Sequence, residues 1–272
     1  MTWRDVAYKN VHDASRSRTV WLLFAVMSAL FAGYAIVHEF LGTASFVPFL
    51  DGLVGIVGTF LPAIGILLGY RSIAGDRESG SLLLELSFPH SRRDLVVGTF
   101  VGRAIVLLAP TLVSLTVAGA IGAVRYGTDG ILWYPWFLFA SALYGTAFVG
   151  ISIGLSMVTT SDRRITFGAL GMYLLLATIW GDLVSFGFTL IHRFGIPGDV
   201  TTPDWGLLLR LAGPEESFSR LLRAGFDLSR AGRYVGDGTP LYVDWWAALI
   251  LLVLWIVVPL VIGFRRFRTA DL

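Results

Sequence analysis

The sequence predicts an all-α polytopic membrane protein with six transmembrane helices, and three observations predict it. Hydrophobic residues make up 55% of the chain and charged residues 15%, well below the quarter or so that soluble domains carry. Six stretches, 19–37, 52–70, 104–124, 130–161, 165–181 and 245–264, hold no Asp, Glu, Lys, Arg or His. About 20 apolar residues cross a bilayer as a helix, and a helix satisfies its own backbone in lipid. Third, Lys and Arg gather on one side. Segments 1–18, 71–94, 162–164 and 265–272 hold four, four, two and three of them, whereas loop 38–51 has none and 125–129 only Arg125. The positive-inside rule then places both termini in the cytoplasm of a multi-pass protein of the cell membrane. The outer segment 188–244 has six Arg, but long loops count weakly in that rule. No repeat or linker divides the chain, so 1–272 reads as a single transmembrane domain.

Residues 2–16 place Trp3, Val6, Ala7 and Val11 near one helical face, which predicts an amphipathic helix on the inner membrane surface. The plain alternative is a polar tail. The first apolar run is longer than the core of a signal peptide, and a structured-looking segment precedes it, so it reads as a retained span. Gly65 with Gly69, Gly98 with Gly102, and Gly150 with Gly154 form GxxxG pairs that let helices approach closely. Pro62, Pro110 and Pro259 fall inside the second, third and sixth spans, where proline kinks a helix. The fifth run is short and continues past Asp182 toward Ile191. In 188–244, Asp204 and Pro214 begin two short helices that end on Gly213 and Gly225. Their apolar faces, Leu207, Leu208 and Leu211, then Phe218, Leu221 and Leu222, suit helices resting on the outer end of the bundle, as a lid or as simple packing.

The cytoplasmic segment 71–94, "RSIAGDRESGSLLLELSFPHSRRD", is more structured than a connection requires. Asp76, Arg77 and Glu78 form a solvated charge cluster below the second span. Gly80 and Ser81 end one short element and start another, and Leu82, Leu83, Leu84 and Leu86 make a leucine-rich turn that Pro89 stops. Ser91 caps the helix that begins near Arg92. The leucine face needs burial, either on its own bundle or in a groove of a cytoplasmic partner.

Residues 73–103 resemble the loop between the second and third spans of type-2 ABC-transporter (ABC-2) permeases. That family shows an acidic-Arg pair, Gly-Thr, a leucine-rich turn, Pro, Ser-Arg and Gly-Lys. Here stand Asp76-Arg77, Gly80-Ser81, Leu82 to Leu86, Pro89, Ser91-Arg92 and Gly98, with Leu83 where an acid is usual and Thr99 where Lys is usual. Six spans, the amphipathic amino-terminal helix, the outer segment and the basic tail extend the likeness over nearly the whole chain. The resemblance implies a permease domain in which 71–94 is the coupling loop, docking on a separate ABC-type ATPase subunit. It also implies assembly as a homodimer or with a paralogous permease, and transport by alternating access. Export is expected, as that family mostly exports and no external capture domain is encoded here. The chain itself carries no cofactor: a Walker A loop needs a Lys after its glycines, and Lys9 is the only Lys. ATP and Mg belong to the partner, so the chain is not expected to be an enzyme.

Other chemistries fit less well. Residues 215–220 match the EExxxR and residues 188–192 the FxxxH of an intramembrane protease family, but in inverted order and in the outer loop, so that reading is set aside. His12, His38, His90 and His192 lie in four different polar segments and read as isolated interfacial histidines. Nothing resembles a nucleic-acid module; the partners in view are the ATPase, a second permease and membrane lipid. Asp51 and Asp182, near the outer ends of their spans, are candidate pathway residues, since ionisable groups at membrane depth are functional candidates by default; interfacial anchoring is the alternative. An ion-coupled secondary transporter should show buried acids near the midplane, and none stands out. A non-transporting scaffold could use the same docking loop.

Overall fold

The computed structural model describes residues 2–40, 45–70, 72–74, 91–159, 161–194, 204–235 and 239–269. No strand occurs among them, and six helices are long and apolar enough to cross a membrane. Helix α1 (Trp3–Ser15) precedes them. The spans are α2 (Arg18–Val37) with a 3₁₀ turn to Phe40, α3 (Phe46–Gly69), α4 (Arg92–Tyr126) and α5 (Tyr134–Val158). The fifth span joins α6 (Asp162–Tyr173), a π-helical stretch Leu174–Ile179 and α7 (Trp180–Arg193). Two short helices, α8 (Asp204–Leu211) and α9 (Pro214–Leu222), lead to the last span, α10 (Trp245–Thr269). Helices α3, α4 and α10 run unbroken through Pro62, Pro110 and Pro259.

Helix α5 is the centre of the bundle, packing on α3, α4, α9 and α10. Each glycine pair seats a different neighbour. A Cβ on Gly65 would come within 3.2 Å of the Gly145 carbonyl oxygen, and one on Gly69 within 2.0 Å of Ser152 Oγ, so this pair fits α3 to α5. A Cβ on Gly150 of α5 would fall 2.9 Å from the Ile256 carbonyl oxygen and one on Gly154 2.6 Å from that of Pro259, so this pair brings α10 against the main chain. The third pair is not between spans. A Cβ on Gly98 would lie 2.5 Å from the Trp3 carbonyl oxygen, and one on Gly102 2.6 Å from Asn10 Cβ.

The amphipathic helix therefore lies on α4. Val6 and Ala7 are buried there, while Trp3 stays 37% exposed. Its first turn is fixed by the Asp5 carboxylate, which accepts from the Thr2 backbone N–H at 2.6 Å. At 1.5 Å per residue the 35 residues of α4 extend about 50 Å, against a hydrocarbon core of about 30 Å. The surplus leaves a stretch of α4 outside the core for α1 to cover.

Helices α8 and α9 do not rest on the outer end of the bundle; α9 enters it. Phe218 is fully buried and stacks on Tyr144, with ring centroids 4.6 Å apart and planes 11° apart. Tyr144 lies midway along the fourth span, Ile131–Val158, and donates to the Gly58 carbonyl, itself midway along the second span, at 3.1 Å. Thus α9 is re-entrant, and its central residue Phe218 packs at the level of the midpoints of the second and fourth spans. Three tryptophans hold the helix pair through indole N–H donors: Trp136 to the Leu221 carbonyl at 2.8 Å, Trp255 to Ala212 at 2.7 Å and Trp180 to Arg210 at 3.1 Å. Gly213 makes room for the Trp180 ring, since a Cβ there would fall 2.2 Å from it.

Candidate functional site

Two regions concentrate polar chemistry in this apolar bundle. The first is where the 71–94 segment leaves and re-enters it. Asp76, Arg77, Glu78, Gly80, Ser81, Leu82, Leu83, Leu84, Leu86 and Pro89 lie outside the described residues; residues 72–74 and 91–94 of the segment lie within them. At the departing end, Ile73 and Ala74 are buried and both backbone N–H groups donate to Ser156 Oγ of α5, at 3.1 and 3.0 Å. A buried N–H without a partner is costly, so one hydroxyl of the fourth span fixes where the chain turns away from α3. At the returning end, Ser91 Oγ accepts from the Asp94 backbone N–H at 3.1 Å, the expected cap of α4. The Arg92 guanidinium donates to the carbonyls of Phe267 and Arg268 at 2.8 and 3.1 Å and lies 5.5 Å from the Phe267 ring centroid. The last carbonyls of a helix lack internal partners and carry its negative end. Arg92 is thereby a cap on α10 delivered from α4.

The second region is an ionic network around α9. Glu216, 5% exposed, pairs with Arg210 of α8 at 2.6 Å and with Arg233 at 3.6 Å. It also accepts from the Tyr234 hydroxyl at 2.6 Å. Burial, then the Glu216 charge beside it, push the Tyr234 phenol well above its ordinary pKa and keep it a donor. Arg210 also donates to Ser185 Oγ of α7. Gly181 makes room for the pair: a Cβ there would meet Glu216 Oε1 at 2.6 Å and Arg210 Nη2 at 3.0 Å. Arg220 of α9 pairs with Asp244 at 2.5 Å and donates to the Val243 carbonyl at 3.0 Å, tying the re-entrant helix to the start of α10. Two guanidiniums and a phenol occupy the Glu216 carboxyl oxygens, an arrangement for locking a helix and not for activating water.

The two candidate pathway acids differ in setting. Asp51 is half-buried in the second turn of α3. Asp182 is exposed in the first turn of α7. The fifth span runs to Ile191, which leaves Asp182 about 14 Å short of that end at 1.5 Å per residue. Asp182 therefore stands well inside the fifth apolar helix and not at its end. His38 also departs from expectation. It is buried, shares a 2.9 Å hydrogen bond through Nδ1 with the Tyr34 hydroxyl, and sits among the rings of Tyr34, Phe49 and Tyr126.

Sequence reasoning missed Ser156, Glu216 with Arg210, and the π-helical stretch that faces α9. The acidic first turn and basic last turn of α9 were visible, but they describe an exposed helix as well as a paired one.

The profile of a family described as ABC-2 family transporter protein matches residues 4–272. The chain belongs to that family. It is 28% identical over 277 residues to the "Probable ABC transporter permease protein NosY" of Stutzerimonas stutzeri, an alignment covering 97% of each chain. It is 27% identical over 271 residues to the protein of the same description from Pseudomonas aeruginosa, covering 97% of this chain and 96% of that one. The ABC-2 chain described here is a multi-pass transmembrane subunit of an ABC transporter, a class whose subunits associate with an ABC ATPase.

Proposed function

We propose that this permease works as a dimer, of identical or paralogous copies, bound to two ABC ATPase subunits, in the cell membrane with both termini cytoplasmic. ATP hydrolysis on those subunits drives export. The observation that carries this reading is the anchoring of the 71–94 segment. One end hangs on Ser156 of the fourth span, and the other caps the last span through Arg92. A force applied to the intervening residues by a closing ATPase is passed to α5 and α10, and these two helices also carry the re-entrant α9. Movement of α5 and α10 would then loosen or tighten α9, which in this reading closes the outer half of the bundle. A transporter shut at its outer end loads from the inside, which favours export. The buried acid that an ion-coupled carrier needs is present as Glu216, but it is held in ion pairs, which favours a structural lock over a proton carrier.

The test is co-purification from the native membrane. The wild-type chain should bring down a P-loop ATPase, and a Leu83→Asp, Leu84→Asp double variant that inserts correctly should lose it. Ser156→Ala should keep the ATPase but uncouple hydrolysis from transport. Retention of the ATPase by the double variant would remove the 71–94 segment from the interface.

A further inference from the structure

Beyond the transport reading, we infer that the groove between α4 and α10, at the end of the bundle where the chain terminates, binds an anionic phospholipid. The groove has a volume of about 770 Å³, within the range of dedicated ligand sites. It exists because α4 and α10 both pack on α5 while barely touching each other there. Its walls are two helical stripes. Arg93 stands at the start of one, followed by Val96, Val97 and Phe100; the other runs through Leu260, Val261 and Phe264 to Arg265 and Arg268. Spacings of three and four residues put each stripe on one face. Because α4 begins where α10 ends, all three arginines gather at the mouth and the apolar residues lie deeper. This is the polarity of a phospholipid, headgroup outward and acyl chains inward.

Charge separates this groove from ordinary lipid-facing surface. Among the described residues no carboxylate pairs with Arg93, Arg265 or Arg268, and all three are exposed. Their neighbour Arg92 has its Nη1 engaged on two backbone carbonyls of α10. Three guanidiniums facing one opening have room for an anion from outside the chain. The guanidinium fork matches phosphate oxygens in pairs, and basic pockets between transmembrane helices take anionic headgroups. A zwitterionic lipid would fill the walls equally well and present the same phosphate. But it would bring its own ammonium to a mouth already lined by three guanidiniums, whereas an anionic lipid leaves their charge compensated. The site lies beside the Arg92 cap, so its occupant braces the end of α10 that the 71–94 segment grips.

Native mass spectrometry of the purified full-length chain in detergent tests the inference, with phosphatidylglycerol and phosphatidylcholine of identical acyl chains added in equal amounts. Phosphatidylglycerol should be retained in preference. An Arg93→Gln, Arg265→Gln, Arg268→Gln variant should lose roughly a hundredfold in affinity for it. An Arg163→Gln, Arg164→Gln variant, which removes two arginines outside the groove, should not. Val97→Trp fills the groove while keeping every charge, and should displace the lipid as well; this guards against a triple variant that fails only by misfolding. Equal retention of the two lipids, or loss of phosphatidylglycerol preference in the Arg163, Arg164 control, would overturn the proposal. So would competition by inorganic phosphate as effective as by phosphatidylglycerol, because the acyl chains would then contribute nothing. Exclusion of lipid by the bound ATPase would overturn it in favour of a protein occupant.

Discussion

Removing the charge from Glu216 leaves the Arg210 guanidinium in a dry site with no anion against it. Loss of one partner from a buried pair costs about 3–5 kcal/mol, and Arg210 is only 15% exposed at its side chain. Glu216→Gln should therefore lower the unfolding free energy of the purified chain by about 3 kcal/mol, read as a lower midpoint in denaturant titration. A Glu216→Gln, Arg210→Gln double variant should recover much of that loss; additive losses would show that the two residues do not act as a pair. Arg233 is 40% exposed at its side chain, so its share is screened by solvent and a change there should cost little. These partners explain why the network was not legible in the sequence. Glu216 stands six residues from Arg210 but on another helix, and its other contacts come from residues 233 and 234. Ser91, by contrast, was readable as a cap because its partner is three residues away. Arg92 shows both sides: its place at the start of α4 was visible, its grip on α10, 175 residues on, was not.

Among elements, the GxxxG pairs were legible as sites of close approach, while their partners depend on which helices the fold brings together. Gly98 and Gly102 show the difference. Both are on a span, yet the helix they admit is α1, a surface helix in sequence terms. Gly98→Leu or Gly102→Leu should push α1 off α4 without displacing α10 from α5, because that contact rests on Gly150 and Gly154. Faster proteolysis within residues 2–16, in a chain that still folds, is the expected readout. The re-entrant helix was legible as a helix, with Pro214 at its first position, but its depth was not. A nine-residue helix with two acids and an arginine has the pattern of an exposed element, and its polar residues are buried only because their partners arrive from α8, residues 233–234 and 243–244. The chain has no cysteine, so depth can be probed directly. Ser217→Cys, at a fully buried position, should resist a membrane-impermeant maleimide, and Leu241→Cys, at a position 82% exposed, should react. Equal reactivity would place α9 on the surface after all.

On the scale of the molecule, the bundle is unevenly closed. The second, third and fourth spans are substantially buried within one copy, whereas the first, fifth and sixth are scarcely buried. Six spans were legible from composition alone because a bilayer demands uninterrupted apolar runs; which spans remain open depends on tertiary packing and left no such mark. The fifth span points to what covers it. Its exposed face carries Ile179, Leu183, Phe186 and Leu190, suited to lipid, but also the exposed side chain of Asp182, well inside that span. An acidic side chain facing hydrocarbon within a span is costly, a cost avoided if that face meets a second copy or a water-filled cavity. Both belong to the dimer proposed above. In membranes holding the permease with its ATPase, Leu183→Cys should then form a disulfide between copies under mild oxidation. Val113→Cys, equally exposed on the third span, should not. Cross-linking at both positions would mean random collision. Its absence at 183, with assembly intact, would leave Asp182 facing lipid, and Asp182→Asn should then raise stability without altering transport. If the fifth span does meet the partner copy, the same change should reduce transport while leaving the cross-link at 183 in place.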